Sequence, residues 1–173
     1  FEPKLFSILD QYADPKPFAV ETAAKLREMG LKIGSTTGYT DAMMNIVVPK
    51  AAQQGYAPDC WVSPDGAEGK VRPYPYMIFA NMQKLGVTSV RNVVKVGDTI
   101  SDVKEGVNAG VWTVGVVEGS SELGLSQEKF EALTPQEREA ACRKVEESFR
   151  EAGAQFVIRN LSQLPELICA LGN

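Results

Sequence analysis

The sequence predicts an α/β fold, a doubly wound parallel sheet flanked by helices. Two observations carry that prediction. Short segments rich in β-branched residues, apolar on both faces as buried parallel strands are, alternate with longer amphipathic stretches. Four of those longer stretches stop at a glycine, which ends a helix by taking the left-handed conformation just past its last turn.

In chain order, "FAVETAAKLREM" (18–29) sets apolar residues at Val20, Ala23, Ala24 and Leu26 and stops at Gly30, so a helix is expected. "LKIGSTT" (31–37) is the first expected strand. "DAMMNIVVPKAAQQ" (41–54) is expected to be a helix kinked at Pro49 and ended by Gly55. The strand "DCWVS" (59–63) is followed by the helix "YPYMIFANMQKL" (74–85), stopped at Gly86. The strand "NVVKVG" (92–97) leads into the helix "TISDVKEGVNA" (99–109), stopped at Gly110, and then into the strand "VWTVGV" (111–116). "TPQERE" holds a capping box, Thr134 with Glu137, and Pro135 at the first helical position, opening a helix that runs to about Glu151. The strand "QFVI" (155–158) and a short helix, "QLPELICAL", after Ser162 complete the set. No repeat, low-complexity tract or linker divides the 173 residues, so one domain over 1–173 is expected.

Composition excludes several functions. With 44% hydrophobic and 23% charged residues, the chain has an ordinary globular balance. A net charge of −4, with no Lys/Arg cluster, argues against nucleic acid as a partner. There is no run of about eighteen apolar residues for a membrane span and no signal-peptide pattern. Cys60, Cys142 and Cys169 lie far apart without CxxC spacing, which speaks for a reducing compartment. The chain opens on "FEPKLF" without an initiator Met, as a fragment or a processed form would. It contains no histidine, so a Ser-His-Asp triad, a Cys-His pair and a His-ligated zinc are all impossible within it. Chemistry here must run on carboxylates, hydroxyls, Lys, Arg or a metal held by oxygen.

In a doubly wound sheet, ligands bind outside the carboxyl ends of the strands, and three of those ends stand out. In "IGSTTGYT" (33–40), hydroxyls run into Gly38 directly before a helix, an arrangement that can cradle phosphate; the plain alternative is an N-cap at Thr40 with Gly38 as a turn residue. In "GKVRPYPYM" (69–77), Arg72 stands extended before Pro73 and can fork onto an oxyanion; the alternative is a solvated surface Arg. In "VVKVGDTISDVKEG" (93–106), Asp98 ends a strand and Asp102 follows one helical turn later. One acid there is explained by the helix dipole, but the pair at a strand end suits a hard cation such as Mg²⁺. The three together are the equipment of phosphoryl transfer.

Thr37, Arg72 and Gly97-Asp98-x-x-x-Asp102, in that order and spacing, resemble three motifs of the haloacid dehalogenase superfamily. "IGSTTGYT", "RPYPYM", "KVGDTISDVKEGVNAGVWTVGV" and "GSSELGL" resemble the phosphonatase family within it, over nearly the whole chain. The resemblance implies a haloacid dehalogenase-like Rossmannoid core and Mg²⁺-dependent hydrolysis of the C–P bond of phosphonoacetaldehyde, by a cytoplasmic homodimer. It also implies roles: Thr37, Gly38 and Tyr39 with the phosphoryl group, Arg72 on its charge, Asp98 as a metal ligand and Asp102 ordering the metal's surroundings. The family's nucleophilic Asp on a first strand, and the imine-forming Lys of its helical cap, have no counterpart in this sequence. "ILDQYAD", with Asp10 and Asp14, lacks the apolar strand and the Thr of that motif, and residues 1–17 instead match the return from cap to core. The missing strand is central in the family, so unpaired edges are expected at the strands ending at Thr37 and Asp98. Two other readings stand beside this one: a non-catalytic core that binds Mg²⁺ and phosphate, and a phosphate-monoester phosphatase or mutase. The roles of Glu118, Ser120 and Ser121 stay open, with a capped turn as the default.

Overall fold

The computed structural model describes residue 9 and residues 13–172. The expected return segment over 1–17 falls mostly outside the described residues, Asp10 included.

All five expected strands form: β1 (Gly34–Thr36), β2 (Cys60–Val62), β3 (Val94–Gly97), β4 (Trp112–Val116) and β5 (Phe156–Ile158). They make two parallel sheets, β1-β2 and β3-β4-β5, divided where the missing central strand was expected to leave a gap. Gly34 faces Cys60 in the first sheet; Val94 faces Trp112 and Val114 faces Phe156 in the second. Among the described residues, β1 pairs only with β2 and β3 pairs on one side only, with β4. Those are the two strands at which unpaired edges were expected.

Seven α-helices are described: α1 (Ala19–Glu28), α2 (Asp41–Gln53), α3 (Tyr76–Leu85), α4 (Ile100–Ala109), α5 (Gln127–Glu131), α6 (Pro135–Glu151) and α7 (Leu164–Leu171). The glycines read as helix stops have φ of 83° at Gly30, 95° at Gly55, 70° at Gly86 and 73° at Gly110. Only glycine takes that conformation without steric cost, which is why the sequence marks those ends. The Thr134–Glu137 capping box forms at α6, a device that contributes about 1 kcal/mol. Helix α2 runs through Pro49 without interruption. Helix α5, five residues capped by Ser126, was not expected; it is too short for an apolar period to show.

The chain gathers into two compact units. The first holds the described residues up to Val71 together with Tyr76–Gly86; the second holds Arg72–Pro75 and everything from Val87 onward. In the first, α3 packs on β1 and β2, with Val62, Ala67 and Met77 at the centre. Asn81 of α3 is buried there and donates to the carbonyls of Ser35 (3.0 Å) and Met77 (2.9 Å). In the second, α4 and α6 close over the three-stranded sheet around Val103, Val117, Cys142, Val145 and Phe149. Phe149 lies so close over Gly115 that a Cβ at that position would come 2.6 Å from its ring.

Candidate functional site

The first unit holds the hydroxyl-rich strand end. After β1, the amide of Thr37 donates to the carbonyl of Val62 (3.2 Å), which ties the loop to the end of β2. Thr37 Oγ1 accepts from the amide of Tyr39 (3.0 Å) and so folds Gly38 into a tight turn. The hydroxyl accepts through a lone pair and keeps its own hydrogen as a donor. Thr40 caps α2, accepting from Met43 N (3.4 Å), so the cap considered as the plain alternative is present. It leaves Thr37 and Gly38 outside the helix, in the turn that precedes the cap. Behind them is a small polar knot that sequence reasoning missed. Asp41 N donates to Asp65 Oδ2 (2.8 Å), the hydroxyl of Ser63 donates to Asp41 Oδ1, and Asp65 N donates to Ser63 Oγ (3.2 Å). Ser63 is buried, and the knot fixes the first turn of α2 against the end of β2.

The second unit holds Arg72, Asp98 and Asp102. Thr99 caps α4, its hydroxyl accepting from Asp102 N (3.0 Å), so Asp98 precedes the cap and lies outside the helix. Helical spacing therefore does not relate the two acids. What returns Asp102 to the strand is Gly97, since a Cβ there would lie 2.2 Å from Asp102 Cβ. The helix start can settle onto the strand end only because no side chain intervenes.

Asp102 is 4% exposed, and both of its carboxylate oxygens have partners. Its Oδ1 accepts from an Nη of Arg72 and from Lys95 Nζ (3.0 Å), and its Oδ2 accepts from the Thr99 hydroxyl (2.8 Å). Lys95 also reaches Glu105 Oε2 (2.7 Å), a residue with no exposed surface. The Arg72 loop is held a second time, by Asn108 of α4, whose amide donates to the carbonyl of Pro73 (2.8 Å). Burial pushes the carboxyl of Asp102 up, but Lys95, Arg72 and the Thr99 hydroxyl together hold it below the ordinary carboxylate range.

Because the native group releases its proton more readily than the unfolded one, it contributes stability above the ordinary value of 3.8, and that contribution is lost as pH falls through the lowered native value. In Asp102→Asn, the dependence of stability on pH below about 4 should be shallower than in the parent. Urea midpoints measured from pH 5 to pH 2.5 check this; parallel curves would mean that the carboxyl is not held ionised.

The structure thus joins Arg72 to Asp102 directly, while Thr37, Gly38 and Tyr39 share one loop of the other unit. Lys95 and Glu105 were missed by sequence reasoning. The signal was there: a Lys in the middle of an apolar strand, "VVKVG", has to find an acid when the strand is buried. Among the described residues no group of three or more His, Cys, Asp or Glu lies together as a ready metal site, and no helix is long and apolar enough to cross a membrane.

A family model described as haloacid dehalogenase-like hydrolase matches residues 3–110. The chain is 52% identical over 168 residues to the phosphonoacetaldehyde hydrolase of Lysinibacillus sphaericus, covering 97% of this chain and 62% of that protein. It is 53% identical over 173 residues to a bifunctional phosphonoacetaldehyde hydrolase/aminoethylphosphonate transaminase of Clostridioides difficile, covering all of this chain and 27% of that protein. Among solved structures, a phosphonoacetaldehyde hydrolase-like protein from Oleispira antarctica superposes with a TM-score of 0.93 at 33% identity, over 99% of this chain and 62% of that one. The chain therefore spans less than two thirds of the length of these relatives.

Proposed function

Because this chain belongs to the haloacid dehalogenase-like hydrolase family, we propose that residues 1–173 are the core domain of an enzyme that hydrolyses the C–P bond of phosphonoacetaldehyde, giving acetaldehyde and phosphate. The observation that carries the proposal is the fastening of Arg72 to Asp102 at the strand end that also bears Asp98. Identity of 52% to a phosphonoacetaldehyde hydrolase, across 97% of the chain, supports the choice of substrate.

Each residue has a task that its chemistry allows. Arg72 uses part of its fork on Asp102 and keeps further N–H donors for phosphoryl oxygens, in a geometry that a Lys could not reproduce. Asp102 stays ionised and holds the guanidinium in place. Thr37 donates its hydroxyl hydrogen to a phosphoryl oxygen, Gly38 lets the backbone approach closely, and Tyr39, partly exposed, lines the entrance.

The donor set fits Mg²⁺, which needs one or two carboxylates and keeps water for its other positions. Asp98 is half-buried at the end of β3 and would hold the ion; Asp102, with both oxygens already taken, would act from behind it. Mg²⁺ supplies charge neutralisation on the phosphoryl oxygens. The nucleophilic Asp, which takes up the phosphoryl group, and the Lys whose imine with the aldehyde serves as the electron sink both come from outside these 173 residues. The chain alone is accordingly inactive, and the working enzyme is a cytoplasmic homodimer.

The test is product release by the full-length protein. Acetaldehyde and phosphate should appear in equal amounts from phosphonoacetaldehyde, in a Mg²⁺-dependent way, and faster than phosphate appears from a sugar phosphate. Faster turnover of the sugar phosphate would replace this reading with a monoester phosphatase.

A further inference from the structure

Asp98 sits in the turn between β3 and α4, and a second loop, distant in sequence, grips that turn on both sides of Thr99. The buried hydroxyl of Ser120, 2% exposed, donates to the carbonyl of Asp98. The amide of Ile100, an N–H that the helix itself leaves without a partner, donates to Glu122 Oε1 (3.2 Å). Ser120 Oγ also accepts from Glu122 N (3.0 Å), so the two gripping residues hold each other.

The gripping loop is itself anchored. Val117 N donates to Ile158 O (3.0 Å) and Glu118 N to Arg159 O (2.8 Å), which extends the β4–β5 pairing by two residues. Gly119, at φ 75°, then turns the chain back, and Ser120 N closes the turn on Val117 O (3.1 Å).

We propose that Ser120 and Glu122 are positioning residues for Asp98, fixing the peptide units on either side of Thr99 so that the backbone carrying the Asp98 carboxylate is set before Mg²⁺ binds. The proposal rests on the metal role of Asp98 given above. A capped turn alone would account for Ser120 bonding to Glu122. It does not account for two bonds that leave the loop and end on Asp98 and Ile100. A carboxylate on a backbone fixed in advance binds a cation without that backbone first losing its freedom, so loosening the grip should weaken the ion more than it weakens the fold.

The experiment is a calorimetric titration of the full-length protein with Mg²⁺ alone, beside thermal midpoints. Ser120→Ala and Glu122→Ala should each weaken Mg²⁺ about tenfold, the size expected for a partner of a ligand, with midpoints close to the parent's. Glu122→Gln keeps an Oε1 acceptor for Ile100 N and should restore the affinity. Since Glu122 is on the surface, its two variants decide the matter even if Ser120→Ala fails to fold.

If Glu122→Gln weakens the ion as much as Glu122→Ala, long-range charge is at work and the positioning role falls. If Asp98→Ala weakens Mg²⁺ while Ser120→Ala and Glu122→Ala leave it unchanged, the grip is structural only. If Asp98→Ala itself leaves the affinity unchanged, the metal role fails first and takes this inference with it.

Discussion

Asp98→Ala in the full-length protein should lower Mg²⁺-dependent turnover by well over a hundredfold, because loss of a mere partner of a metal ligand already costs about 10–100-fold. The reason lies in how the neighbouring acid is used. Asp102 has committed one oxygen to Arg72 and Lys95 and the other to Thr99. To ligate an ion it would have to abandon two cations in a buried setting, so it would be no substitute for Asp98. Steady-state rates across a Mg²⁺ series check the expectation. Activity restored at high Mg²⁺ would mean that Asp98 tunes affinity without being required. Activity unchanged at every concentration would refute its metal role.

Lys95→Met should destabilise the second unit by about 3–5 kcal/mol, the usual cost of removing one partner from a buried ion network. That is a large share of a typical domain stability of about 5–15 kcal/mol. Lys95 is the cation that Asp102 and Glu105 share, at 3.0 and 2.7 Å, and the Glu105 side chain is fully buried. Met nearly preserves the side-chain volume, so the loss measures charge more than packing. Urea denaturation gives the number. Adding Glu105→Gln to Lys95→Met should recover part of it, since the double variant no longer buries an uncompensated carboxylate. A loss under about 0.5 kcal/mol for Lys95→Met would place it among ordinary surface substitutions and would show that the acids find other partners.

The fold was legible where local chemistry decides it. β-branched runs put all five strands within a few residues of their observed places, and "TPQERE" announced the start of α6 through its own capping chemistry. Pairing was legible only through the family resemblance, which placed unpaired edges at β1 and β3; no residue of either strand encodes by itself which strand lies beside it. At the site, the acids and the Arg could be named from spacing, because strand ends are where ligands bind. Their partners could not. Lys95 is two residues before Gly97, and only the close approach of Asp102 over that glycine makes it a neighbour. The grip of Ser120 and Glu122 on the Asp98 turn spans 22 residues in each bond and depends on β4 lying beside β3.

Arg72–Pro75 belongs with the second unit, although the residues up to Val71 and from Tyr76 belong with the first. The boundary therefore crosses the chain three times, and no single cut yields two whole pieces. A protease or a cloning design that parts the chain between Gly86 and Val87 would leave Asp102 on one fragment and its guanidinium on the other. The same holds for recombination: a crossover at that point would pair an Asp102 from one parent with an Arg72 loop from another, two parts that had never been selected together. A workable chimera has to carry the four-residue loop as a separate graft, moved in the same step as the helix that holds it.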